Sequence, residues 1–317
     1  MLQTKSYIRY YMKAYLIRIL FFLLIGVLIG EFSARVFHLT VDVPKAYRDS
    51  DKLIKYYPDQ TGNSSEGYKW KINKYGNFGY EPQSLDSLVT VIGNSYISNT
   101  MNPPECHQAT YLAGMNSEYN IYPMSRDGAC FLEDLEIAKS LESLNPRKQF
   151  LYVNDYDFIT SVIEVSNQPL TVQLSVEQNT IRYAQLKGSK LKELLYHFKF
   201  AYFLYRNYMV PIIVDLEMAR GRTQGSLNEI KESDYPYMQA LVDYTIENYK
   251  IDNIVLVFFP DSDPKLVSMT ENAGFTVLQL ETDDYNSWLG SIGGHWSCYG
   301  HEEVAKQVDK YLVSLSH

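Results

Sequence analysis

The chain is poor in cysteine, has one long apolar run and carries no basic stripe. Only three cysteines occur in 317 residues: Cys106, Cys130 and Cys298. None forms a CxxC pair, which argues against a zinc ribbon or a dithiol redox motif. An odd count leaves at least one thiol unpaired. Cys106 and Cys130 are a candidate pair for an oxidising compartment, and free buried thiols are the alternative. No second apolar run of spanning length is present, so a transporter is not expected. The formal net charge is −8. Phosphate binding needs clustered Lys and Arg, so nucleic acid is not an expected partner. Internal repeats and low-complexity tracts are also missing.

What the chain has is tyrosine, 28 residues of it, in a composition that is 46% hydrophobic. Tyrosine rings with a polar tip serve cores and sugar-binding surfaces alike. The length fits one large α/β domain with additions, or two small domains.

The single apolar run, Ile19-Leu20-Phe21-Phe22-Leu23-Leu24-Ile25-Gly26-Val27-Leu28-Ile29-Gly30, extends on both sides to spanning length if Arg18 snorkels to the headgroups. Lys5, Arg9, Lys13 and Arg18 precede the run with no acid among them, whereas Glu31, Asp42, Asp49 and Asp51 follow it among fewer bases. The positive-inside rule then puts the N-terminus in the cytoplasm and the large domain outside. No small-x-small site follows, so an uncleaved anchor is expected rather than a cleaved signal peptide. The expected organisation is a tail and anchor over 1–35, a turn-rich juxtamembrane connection over 36–85, and a domain over 86–317. An insertion occupies about 159–235.

Within the domain, apolar runs at 88–92, 119–122, 149–153, 254–259 and 275–280 read as strands, separated by helical periodicities at 132–144, 238–249, 265–273 and 302–315. Alternation of this kind implies a parallel sheet with right-handed crossovers. Leu191, Leu194, Leu195, Phe198, Tyr202 and Tyr205 mark an amphipathic helix in the insertion. It is read as packing on the sheet, with a membrane-surface position as the alternative.

Three strand ends and one late loop carry polar residues: Ser95, Asp127-Gly128, Asn154-Asp155 and His295. In an open parallel sheet these loops share the carboxyl edge, where ligands bind. A strand-end serine and a loop histidine are the minimum for an activated hydroxyl nucleophile. The backbone N–H groups of Ser95 and Gly128 and the amide of Asn154 are the natural oxyanion donors. Each residue also has a plainer role open to it: Ser95 as a helix cap, Asn154-Asp155 as a turn, His301 as packing for the last helix. The spacing His295-x-x-Cys298-x-x-His301 invites a zinc site, but no fourth ligand is evident, and neither metal nor cofactor is expected.

Gly93-Asn94-Ser95, Arg126-Asp127-Gly128, Tyr152-Val153-Asn154-Asp155 and Ile292-Gly293-Gly294-His295 together resemble the four blocks of the SGNH/GDSL hydrolase family. The resemblance covers about residues 86–317. His295-Trp296-Ser297-x-x-Gly300-His301 and the upstream Asn73-x-x-Gly76-x-Phe78-Gly79 are similar to membrane-anchored bacterial members. The resemblance implies a flavodoxin-like three-layer α/β/α sandwich. It also implies a serine esterase or O-acyltransferase acting on acyl, often acetyl, esters of envelope glycans, with small-molecule esters as the other candidate substrates.

Two departures from the family pattern are minor: Asn94 stands where the family has an acid, and Tyr152 where it has glycine. The third is larger, because the acid that normally precedes the histidine is missing at 292 and 293. Asp284, or Asp283, is the nearest upstream carboxylate that a loop can bring to His295. Otherwise the site is a Ser-His dyad, or the protein is a non-catalytic glycan-binding or assembly protein with the same fold.

Overall fold

The computed structural model describes residues 2–64, 66–186, 195–210, 229–291 and 294–314. They form two units, 1–43 with 188–223, and 44–187 with 224–317.

The first unit is built on helix α1 (Leu2–Val36). Its stretch Met12–Val36 is long and apolar enough to cross a membrane and has no buried share. Phe21, Phe22, Leu23 and Leu24 are all exposed. A buried core helix is therefore excluded, and an exposed apolar surface is what a lipid-facing or signal helix presents. The insertion helix packs here, against α1. The Glu31 carboxylate accepts from the backbone N–H groups of Lys199 and Phe200 at 3.2 and 2.9 Å. Leu191 and Leu194 of the expected helical face lie outside the described residues.

The second unit begins with two small hairpins, β1 (Ala46–Arg48) with β2 (Ile54–Tyr56) and β3 (Thr61–Asn63) with β4 (Lys69–Lys71). Phe78 bridges to Ser125, and Asn73 Nδ2 donates to the Pro123 carbonyl at 3.2 Å. Residues 44–85, read from sequence as a connection, thus pack on the α/β domain. A second expectation concerns the insertion, which is split between the units, with a hairpin of β8 (Gln173–Ser175) and β9 (Thr180–Arg182) on this side.

The central sheet comprises β5 (Leu88–Gly93), β6 (Asn120–Ser125), β7 (Lys148–Val153), β10 (Ile254–Phe258) and β11 (Thr276–Gln279). All five strands are parallel, in the order β11-β10-β7-β5-β6. Read from β6, this is the doubly wound 2-1-3-4-5 order of flavodoxin-like folds. The central strands are buried on both faces, which is why they read as apolar runs and not as alternation. Val89 and Val91 pack on one layer with Leu112, Val304 and Val308, whereas Leu88 and Ile92 pack on the other with Leu135, Leu241 and Leu266. The expected three-layer α/β/α sandwich is therefore present. The order in which successive strands are added reverses between β5 and β7, and that switch point is where ligands bind in such sheets.

The cysteine pairing differs from expectation. Cys106 bonds to Cys298, 192 residues away, with Cα atoms 4.9 Å apart, while Cys130 is buried and unbonded. Burial first, and the Glu133 charge second, push the Cys130 thiol up to about 12. The Cys106–Cys130 expectation fails because closeness in sequence says nothing about Cβ separation in space.

Candidate active site

Strand β5 ends at Gly93, where a Cβ would lie 2.7 Å from Ile97 Cγ1. Glycine there lets the chain turn tightly into α2 (Ser95–Ser98). Asn94 caps α2, its Oδ1 accepting from the Tyr96 N–H at 3.0 Å. Ser95 is thereby held at the first helical position, half-buried, at the carboxyl edge of the sheet.

The loop before the last helix, α9 (Cys298–Ser314), is clasped at several points. Trp296 is 1% exposed and packs on Phe259 with ring centroids 4.5 Å apart. Gly290 N donates to the His295 carbonyl at 2.7 Å, Asn102 Nδ2 to the Trp296 carbonyl at 2.9 Å, and Ser297 N to the Trp288 carbonyl at 2.7 Å. The disulfide holds Cys298, three residues on. The imidazole of His295 stacks on Tyr96, centroids 4.6 Å apart, and its Nε2 lies 2.8 Å from Ser95 Oγ. That separation is within proton-transfer reach.

Ser95, Gly128, Asn154 and His295 line one cavity of about 360 Å³. Gly128 has φ +73° with nothing within 4 Å of a Cβ, so glycine is required there by conformation and not by space. Asn154 caps α5 (Asp155–Ile159), and its Oδ1 accepts from the Asp157 N–H at 3.3 Å. The cap uses the amide oxygen, which leaves the NH₂ as the end that can serve the cavity.

Asp284 is exposed, at the start of a 3₁₀ turn (Tyr285–Trp288), and its neighbour Tyr285 lines the cavity instead. Asp283 is also exposed. Ile292 and Gly293 of the fourth block lie outside the described residues. In the His-x-x-Cys-x-x-His spacing, Cys298 is taken up by the disulfide. His301 is buried beside Trp296, where burial first, and neighbouring histidines next, push its pKa down to about 3. It is a neutral packing residue.

Two buried charges that sequence reading passed over organise the site. Asp157 ties the serine block to the asparagine block: Asn94 Nδ2 donates to it at 2.8 Å and the Asn154 N–H at 3.0 Å. The signal was present, since Asn154-x-x-Asp157 is a capping-box pattern. Arg126 forms a buried pair with Glu133, with one N···O distance of 2.6 Å, and also donates to the Asp127 and Gly128 carbonyls at 2.9 and 3.2 Å. Glu133 accepts in addition from Thr171 Oγ1 and the Val172 N–H. The loop carrying Gly128 is thus fixed from beneath.

Burial raises the pKa of Asp157 from 3.8 to about 7, against the lowering effect of its two donors, with the Asp155 charge adding to the rise. The folded chain therefore binds this proton more tightly than the unfolded chain. Stability from this group is fullest below about pH 4 and is lost as pH rises through about 7. Asp157→Asn is expected to remove that component of the slope, read as unfolding free energy against pH. Asparagine would set an NH₂ against one of the two donors, so activity should fall about 10- to 100-fold, as expected for one unsatisfied buried group. Unchanged turnover and an unchanged pH slope would dismiss this role.

No family model matches the chain. No curated protein matches it either. Among solved structures it is similar to a G-D-S-L family protein from Desulfitobacterium hafniense DCB-2, at 11% identity and TM-score 0.37, over 71% of this chain and 99% of that one. It is similar to the psychrotrophic esterase EstA from Pseudoalteromonas sp., in a form inhibited by monoethylphosphonate, at 10% identity and TM-score 0.37, over 73% and 100%. A GDSL-like chain from Bacteroides ovatus ATCC 8483 aligns at 14% identity and TM-score 0.33, over 73% and 100%.

Proposed function

We propose that this chain is an SGNH/GDSL-type serine esterase or O-acyltransferase, anchored in a membrane and acting on acyl esters, acetyl above all, of envelope glycans. The observation that carries the reading is the 2.8 Å approach of Ser95 Oγ to His295 Nε2 over a cavity also lined by Gly128 and Asn154. Ser95 Oγ attacks the ester carbonyl as its proton passes to His295 Nε2. The carbonyl π electrons move to oxygen. The N–H groups of Ser95 and Gly128 and the Asn154 amide then stabilise that oxyanion, each donor worth about 3 kcal/mol. Collapse expels the alcohol, which takes the proton from His295 and leaves an acyl-Ser95 ester. Water or a second hydroxyl then attacks with His295 again as base, releasing the acid or the transferred ester.

Stacking on Tyr96 and the backbone clasp hold the imidazole in orientation. The exposed position of Asp284 is the observation that favours the second reading, a non-catalytic glycan-binding protein of the same fold. The anchor reading rests on the exposed apolar Met12–Val36 helix, and the extracytoplasmic position on the flanking charges and the Cys106–Cys298 bond, which requires an oxidising compartment.

Treatment with a fluorophosphonate decides between the two readings. The enzyme acquires a covalent adduct on the Ser95 peptide, detected by mass. An intact, folded sample that acquires none is a binding protein.

A further inference from the structure

The lining of the Ser95–His295 cavity is acidic and aromatic. Tyr96, Tyr156, Phe259 and Tyr285 supply ring surface, and Asp155 and Asp261 supply carboxylates. Among the described residues lining it there is no Lys or Arg, and His295 is the one basic group. Asp261 is exposed at the rim, beyond the end of β10. Asp155 is half-buried and accepts the Asp263 N–H through both oxygens, at 2.9 and 3.1 Å, which fixes its position. The two carboxylates feel each other: burial first, then the charges of Asp263 and Asp261, raise Asp155 to about 6. The same field reaches the phenols, and burial first, with the Asp261 charge next, pushes Tyr96 up to about 12. Above neutral pH both carboxylates are ionised, and among the described residues lining the cavity no lysine or arginine offsets their negative potential.

We propose that Asp155 and Asp261 make this site selective by charge: it accepts esters whose alcohol part is a neutral or amine-bearing sugar and rejects carboxylated or phosphorylated ones. The inference rests on the esterase reading above and deepens it. Three physical arguments carry it. Ring faces cover the apolar C–H face of a pyranose, while carboxylates accept its hydroxyl protons. An anionic substituent would meet two like charges in a partly desolvated cleft, where repulsion is several times stronger than in bulk water. An ammonium on the sugar would instead neutralise the field that opposes the developing oxyanion. The volume of about 360 Å³ is at the small end for ligand sites, so one sugar unit with a short acyl group fills it and its charge cannot stand far from the carboxylates.

The test uses the full chain in non-ionic detergent and three acetyl esters: O-acetylglucose, O-acetylglucosamine with a free amine, and O-acetylglucuronate. Acetate release gives kcat/KM for each at low and high salt. The expected order is amine-bearing at or above neutral, with the anionic ester about tenfold or more below, a gap that narrows in salt as the charges are screened. Asp261→Asn, whose side chain is exposed, and the Asp155→Asn/Asp261→Asn pair should move the three values together. Glucuronate cleaved as well as glucose, or a ratio unchanged in both variants, overturns the charge selection. An adduct on Ser95 with none of the three esters cleaved overturns the sugar assignment while the serine-enzyme reading stands. No adduct and no cleavage removes the enzyme reading and this inference with it.

Discussion

Ser95→Ala is expected to lower kcat/KM for ester cleavage by about four orders of magnitude or more, and His295→Ala by a similar factor. The Ser95 Oγ–His295 Nε2 contact is a single proton-transfer unit, so either loss disables it. The double variant should be no worse than either single one, because members of one catalytic unit are strongly non-additive. Neither change should cost much stability. Ser95 is only half-buried, and the His295 loop is held by Trp296, by backbone bonds and by the disulfide. Progress curves for acetate release, beside thermal unfolding of each variant, check both points. A Ser95→Ala protein that keeps its turnover would show that the hydroxyl is not the nucleophile.

Arg126→Ala should give the largest loss of stability, about 3–5 kcal/mol, the cost of leaving one partner of a buried ion pair alone. Arg126 is 7% exposed and Glu133 1%. Without the guanidinium, Glu133 keeps only the Thr171 hydroxyl and the Val172 N–H as donors. The carbonyls of Asp127 and Gly128 lose theirs as well, and with them the Gly128 loop loses its fixed position. Replacing both partners by apolar residues of similar volume, Arg126→Met with Glu133→Leu, should restore only part of the stability: the desolvation cost of the charges is removed, but the Thr171 hydroxyl, the Val172 N–H and the Asp127 and Gly128 carbonyls lose their partners. It should not restore the catalytic rate, because nothing then holds the Gly128 N–H toward the oxyanion. Urea unfolding and ester turnover of the single and double variants separate these effects. A double variant that regains both would mean that Arg126 only packs.

The difference between those two predictions tracks what could be read in the chain. Ser95 and His295 were visible because each follows a local pattern, a β-branched run ending in Gly-Asn-Ser and a His-Trp-Ser turn before an amphipathic helix. Arg126 and Asp157 were harder to see. A lone Arg before Asp-Gly, or an Asp three residues into a short helix, looks like surface until the burial around it is known. Even so, the capping-box spacing of Asn154 and Asp157 was there to be found. Proximity in sequence points to Asp284, yet the 3₁₀ turn that follows it brings Tyr285 to the cavity and leaves Asp284 exposed.

Sequence alone determined the strand and helix succession, the apolar span near the N-terminus and the polar residues at the strand ends. These depend on periodicity and chain order, which are local properties. Only the tertiary structure decided that Cys106 meets Cys298, that residues 44–85 pack on the domain, and that Asp155 and Asp261 share a rim with Tyr285. Such contacts follow from the order in which β5, β7 and β10 lie side by side. That order is fixed by the burial of both sheet faces at once, a condition no single stretch of chain can express.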